Sequence, residues 1–128
     1  KVIEAHTRGL IRDFNVKTPG PWTKLRTLSG GNIQKLLLAR ELGLRPKVLV
    51  CNKPTHGLDF ITSQFVLQTI RSQADEGMAV LLISSELEEL FELSDRVGVM
   101  YRGQLLEVFS RDEVDRETVG RLMLGIKS

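Results

Sequence analysis

The sequence predicts an α/β fold, with a mostly parallel sheet and flanking helices. Residues 48–51 (Val-Leu-Val-Cys) and 79–84 (Ala-Val-Leu-Leu-Ile-Ser) are short, almost wholly apolar runs, as expected of strands inside a parallel sheet. Between them, residues 60–74 place Ile61, Phe65, Val66 and Ile70 at helical spacing, and strand–helix–strand order implies a right-handed crossover. Upstream, Ser29-Gly30-Gly31-Asn32 stands directly before the run of helix formers at 33–44.

In chain order, residues 1–15 read as an amphipathic helix. Val2, His6, Leu10 and Phe14 recur every four residues, with Ile3 and Ile11 widening the stripe. His6 is expected as a packed residue at the core edge. Residues 17–27 form a loop, because Pro19-Gly20-Pro21 does not continue a helix. Trp22 is expected to pin that loop against a neighbour, with an exposed partner contact as the alternative. In the next helix Ile33, Leu36, Leu37, Leu38 and Leu42 lie nearly all round, which predicts burial on more than one side. Gly43 and Pro46 stop it.

The strand at 48–51 follows, then the helix at 60–74, closed by Gly77, and the strand at 79–84. A short helix at 86–93 packs through Leu87, Leu90 and Phe91. Residues 96–101 are a third strand, turned by Arg102-Gly103 into a hairpin partner at 104–109. A last helix at 112–124 buries Val114, Val119, Leu122 and Met123.

Composition sets bounds. With 128 residues the chain is long enough for a core. A net charge of +2 and 5% aromatic residues give neither the basic footprint nor the stacking platform of a nucleic-acid binder, and no nucleic-acid partner is expected. The single cysteine, Cys51, excludes an internal disulfide and a cysteine-based zinc site, and suits a reducing cytoplasm. Its simplest role is a buried strand residue.

The chemistry lies in the serine and two glycines. Ser29 can cap a helix and offer a hydroxyl, while Gly30 and Gly31 leave room for an anion at the first backbone N–H groups. Over these few residues alone an ordinary capped turn reads equally well.

Leu28-Ser29-Gly30-Gly31-Asn32, followed by Gln34-Lys35 and a helix containing Ala39-Arg40, resembles the signature motif of ABC-type ATPases. The segment from Val48 through Asn52-Lys53-Pro54-Thr55-His56-Gly57 to Leu58-Asp59 resembles their Walker B strand and D-loop. Val80-Leu81-Leu82-Ile83-Ser84-Ser85-Glu86 resembles the switch strand. The resemblance implies a partial P-loop NTPase (ABC ATPase) core. Residues 1–45 would then be the end of a helical subdomain and 46–128 the C-terminal half of the core. The phosphate loop G-x-x-x-x-G-K-[ST] occurs nowhere in these residues. The chain, which begins at Lys1 without an initiator methionine, is therefore expected to be the C-terminal part of a longer domain.

The family pattern is altered at three positions. Its Walker B strand ends in an aspartate that helps hold Mg²⁺ and a glutamate that acts on the attacking water; here Asn52 and Lys53 stand there. Asn52 brings no charge to a metal. A lysine ~5 Å from Mg²⁺ at an effective dielectric of about 20 repels it by about 6–7 kcal/mol before screening. Ser85 replaces the switch histidine. No catalytic residue and no metal ligand is expected within the chain. The nucleotide contacts implied by the resemblance are Ser29, Gly30, Gly31 and Asn32 of the signature, with Leu58 and Asp59 as the D-loop. Asp59 is equally suited to cap the helix at 60–74.

The wording of the motifs, with Leu93-Ser94-Asp95-Arg96-Val97, is similar to the second half of duplicated ATPases that energise simple-sugar and nucleoside importers. That likeness implies ATP and Mg²⁺ in the full assembly, with neither bound tightly by the isolated chain. It implies a second nucleotide-binding domain in the same polypeptide, membrane permease subunits, an indirect link to a solute-binding protein, and the cytoplasmic face of the membrane. The isolated chain is expected to self-associate through uncovered apolar faces. One alternative is a nucleotide-independent pseudo-ATPase used for dimerisation or regulation. Another is an ABC ATPase of DNA repair, which the lack of long heptads and zinc-type cysteines disfavours.

Overall fold

The computed structural model describes residues 1–126. The order is α1 (Val2–Asp13), a short 3₁₀ turn (Leu25–Thr27), α2 (Gly30–Gly43), β1 (Val48–Asn52), α3 (Phe60–Asp75), β2 (Ala79–Ile83), α4 (Leu87–Leu93), β3 (Arg96–Tyr101), β4 (Gln104–Ser110), a 3₁₀ turn (Arg111–Glu113) and α5 (Arg116–Met123). β1 and β2 form a parallel pair with α3 as the crossover, and β3 and β4 form a separate two-stranded sheet. The chain divides into two compact units, Lys1–Leu81 and the residues from Leu82 onward.

In the first unit, helix ends follow from local chemistry. Ser29 caps α2 and Asp59 caps α3, each side chain accepting the N–H three residues on. α3 closes on Gly77 at φ +103. There the N–H groups of Gly77 and Met78 donate to Ala74 O and Gln73 O, a Schellman ending that needs a left-handed residue. α1 ends the same way on Asn15, which adopts φ +48. The core collects Val16, Leu38, Ala39, Leu42, Leu49, Cys51, Val66, Leu67 and Ile70.

Several sequence expectations change here. Of the expected stripe, Val2, Ile3 and His6 lie exposed, while Leu10, Ile11 and Phe14 are half-buried. Trp22 is 77% exposed and pins nothing. α2 is buried along one stripe, Lys35, Leu38, Ala39 and Leu42, because these recur at the spacing of a single helix face. Ile33 and Leu37 on its other side are exposed. β1 alternates, burying Leu49 and Cys51 and leaving Val48 and Val50 open. Ile61 is exposed too, and Leu67 takes the inner position beside Val66 and Ile70.

In the second unit, β3 and β4 form an antiparallel hairpin with Tyr101 opposite Gln104 and a register shift between Val99 and Met100. Arg102 and Gly103 both adopt positive φ, the backbone of a tight two-residue hairpin turn. Val97, Val99, Val119 and Leu122 make its core, with Leu87, Phe91, Leu106, Phe109, Val114 and Met123 packed on it. The last helix starts at Arg116, later than residue 112, because Asp115 is the residue whose carboxylate accepts the Thr118 N–H.

Ile70 is 2% exposed and Ile61 80%. Ile70→Ala should therefore cost about 2–5 kcal/mol of folding stability, and Ile61→Ala less than about 0.5 kcal/mol. Denaturant unfolding of the two variants checks both values.

Candidate functional site

The site is built at the N-terminus of α2. A helix leaves its first N–H groups without intrahelical partners. Ser29 serves the third: its Oγ accepts the Asn32 N–H at 3.3 Å. Its carbonyl accepts the Ile33 N–H at 3.0 Å. The N–H groups of Gly30 and Gly31 remain at the open end of the helix, where the dipole favours negative charge. Ser29 and Gly30 are exposed, Gly31 and Asn32 half-buried.

Asn32 is tied on both sides of its amide. Its Nδ2 donates to Ser29 Oγ at 2.9 Å, and its Oδ1 accepts the Lys17 N–H at 2.8 Å. Lys35, one turn on, is 8% exposed. Its ammonium donates to Asn15 O at 3.2 Å and lies 4.8 Å from the centre of the Phe65 ring. A buried cation needs such partners, and these link the end of α1 and the inner side of α3 to α2.

The two glycines differ. A Cβ on Gly31 would lie 3.0 Å from Thr62 Cγ2 and 3.1 Å from Thr62 Oγ1, whereas a Cβ on Gly30 would meet nothing within 4 Å. Thr62 has little freedom to yield, because its hydroxyl donates to Asp59 Oδ2 at 2.7 Å and its N–H to Asp59 Oδ1 at 2.9 Å. The same two bonds hold the Asp59 carboxyl below the usual carboxylate range. The structure thus brings Gly31 and Asp59 together through Thr62. Leu58 is half-buried just before the cap, its N–H donating to Thr55 O.

Asn52 ends β1, exposed, and Lys53 follows, exposed, at φ +48. Lys53 O accepts the His56 N–H at 3.1 Å. This donor set does not fit Mg²⁺: Asn52 supplies a neutral amide, Lys53 a cation, and Asp59 is engaged by Thr62. Among the described residues no group of three or more His, Cys, Asp or Glu side chains could hold a metal. Ser85 lies in the second unit, exposed before α4. Its neighbour Ser84 donates to Glu89 Oε2 at 2.8 Å and accepts the Glu86 N–H. Burial pushes the Cys51 thiol up, so it is not a reactive thiolate at neutral pH.

Sequence reasoning missed Thr62, Lys35 and the Lys17 backbone. Thr62 stands three residues after its cap, a spacing that could have signalled the bond to Asp59. Lys35 stands on the Leu38–Ala39–Leu42 face, so its position could have marked it as buried. Nothing in the sequence points to the Lys17 N–H.

The capped, glycine-led helix α2, with its open N–H groups, precedes the β1–α3–β2 crossover, and the fold is that of part of an ATP-binding cassette. A dimeric ATP-binding cassette solved in a post-hydrolysis state with ADP and Pi superposes with a TM-score of 0.71 at 19% identity, over 81% of this chain and 45% of that one. A dimeric bacterial ABC transporter cassette gives 0.72 at 18% identity, over 84% and 46%. No family model matches the sequence. Among curated relatives, the nucleoside import ATP-binding protein NupA of Lactococcus lactis is 38% identical over 96% of this chain and 24% of its own length. The ribose import ATP-binding protein RbsA of Shouchella clausii is 40% identical over 91% and 23%. The guanosine import ATP-binding protein NupO of Bacillus subtilis is 42% identical over 92% and 23%. The chain matches the C-terminal region of ABC-type ATP-binding proteins named for sugar and nucleoside import. It spans about a quarter of the length of these relatives.

The glycine contrast gives a stability test. Gly31→Ala should cost about 1–3 kcal/mol through the clash with Thr62, while Gly30→Ala stays within about 0.5 kcal/mol. Equilibrium unfolding in urea measures both.

Proposed function

We propose that this chain is a segment of the ATP-binding subunit of an ABC importer for simple sugars or nucleosides. In this reading residues 1–45 end a helical subdomain and 46–128 form the C-terminal half of the ATPase core. The segment supplies Ser29, Gly30 and Gly31, backed by Asn32, to an ATP site whose phosphate loop and metal ligands belong to the other nucleotide-binding domain of the same polypeptide. Leu58 and Asp59 form the D-loop beside it. The subunit works at the cytoplasmic face of the membrane with permease subunits, and no described helix is long and apolar enough to cross a membrane itself.

The observation that carries this reading is the N-terminus of α2. Its hydroxyl and two open N–H groups are donors, and the Asp59 carboxylate beyond Thr62 is taken up by that residue's N–H and hydroxyl, which fits a phosphate and not a cation. Gly30 adds support, since no contact within the fold requires the absence of a side chain there. When bound, ATP supplies the transferable γ-phosphoryl group. The chain's own part is to hold Ser29 and the Gly30 and Gly31 N–H groups against phosphate oxygens and exclude water from that side. Asn52 and Lys53 provide no base and no metal ligand, so this half contributes binding without bond cleavage.

Steady-state ATPase of the full-length protein in its transporter tests the division. Ser29→Arg removes a preorganised donor and obstructs the approach, and should lower turnover ~10²–10³-fold. Lys53→Gln alters a position with no catalytic part and should change turnover by less than about threefold, under about 1 kcal/mol. Equal losses from the two substitutions would refute the division.

A further inference from the structure

We propose that Asn32 is a positioning residue that aims the Ser29 hydroxyl proton outward. The inference rests on the reading of Ser29 as a phosphate donor and says what makes it one.

A serine hydroxyl has one proton to donate and two lone pairs to accept with. At Ser29 both lone pairs are used, by the Asn32 N–H at 3.3 Å and by Asn32 Nδ2 at 2.9 Å. Both donors come from the helix side. The O–H bond is therefore left the remaining tetrahedral direction, away from α2. A cap without the second donor would leave a lone pair unfilled and the proton free to turn.

The orientation of the Asn32 amide follows from its other partner. The Lys17 N–H, 2.8 Å away, is a backbone group that only donates. The amide atom facing it must be the carbonyl oxygen, which places the NH₂ group toward Ser29. Lys17 is itself well placed to act as an anchor. It follows buried Val16, whose N–H donates to Ile11 O at the closed end of α1. Asn15 O, in the same turn, accepts the Lys35 ammonium from α2. The chain from α1 through Lys17 and Asn32 to Ser29 thus runs between points already fixed by packing. A hydroxyl held this way needs no reorganisation when an anion arrives, the condition under which a donor contributes most to a transition state.

A double-substitution cycle in the full-length ATP-binding protein, assembled with its permease, tests the proposal by steady-state ATPase. Asn32→Ala should lower kcat about tenfold when Ser29 is present and less than about twofold in the Ser29→Ala background, where no hydroxyl remains to be aimed. Asn32→Gln keeps an amide donor and acceptor and should stay within about threefold of the original. Should Asn32→Ala not fold, Asn32→Asp retains the acceptor for Lys17. Its carboxylate would instead accept the Ser29 proton and turn it inward. The effect of its charge is common to both backgrounds and divides out, so its loss should be at least about fivefold larger with Ser29 than with Ala at that position. Equal losses in the two backgrounds would overturn the positioning role while leaving Ser29 as a phosphate donor. If Ser29→Ala alone leaves kcat unchanged, the phosphate reading falls, and this inference with it.

Discussion

Thr62 occupies the space that a side chain on Gly31 would need, and this contact sets the geometry of the region. Asp59 caps α3 and grips the Thr62 hydroxyl as well as its N–H. Thr62 in turn lies against the backbone of α2 one residue inside its N-terminus. The starts of two helices are thereby held to each other by one threonine. On the far side, Asn32 and Lys35 tie α2 to the end of α1. The open N–H groups of Gly30 and Gly31 are therefore fixed in direction by contacts made elsewhere, and an anion meeting them requires no rebuilding of the helix end.

Under the proposed function, that arrangement keeps the binding donors apart from the positions where cleavage chemistry would lie. The donors sit on α2, where helix geometry supplies them whatever the neighbouring motif contains. Asn52 and Lys53 sit at the end of β1 and just after it, where Lys53 takes a left-handed conformation and its carbonyl receives the His56 N–H. Pro54 and Thr55 are buried beneath that turn. The turn is held by backbone hydrogen bonds and buried neighbours, so the side chains of Asn52 and Lys53 project without being needed for it. Charge can change at these positions while the path into Asp59, and hence the Thr62 contact, is kept.

The parts legible in the sequence were those decided by local chemistry. Ser29 and Asp59 marked the starts of α2 and α3 because a cap acts within one turn, and Arg102-Gly103 marked the hairpin because a tight turn needs positive φ. Less legible was which apolar residues are covered. A continuous run such as Val48–Cys51 says that a strand is apolar on both faces, not that both faces have a neighbour within the chain, and Val48 and Val50 are open. The same holds for Ile33 and Leu37, whose hydrophobicity masked the one-sided stripe of α2. At the site the donors could be read from Ser-Gly-Gly. The Lys17–Asn32 bond could not, since it joins a backbone N–H to a side chain fifteen residues away and leaves no residue-type signal. The start of α5 was placed too early, at residue 112, because its cap, Asp115, was not read as one.

In the proposed function the N-terminus of α2 receives a phosphate held mainly by another domain. The most direct measurement is a structure of the full-length protein trapped with a non-hydrolysable ATP analogue and Mg²⁺. Ser29 Oγ and the Gly30 and Gly31 N–H groups should lie within hydrogen-bond distance, about 2.7–3.2 Å, of phosphate oxygens bound by the other domain's phosphate loop. A nucleotide engaged elsewhere, with Ser29 facing bulk water in the closed state, would contradict it.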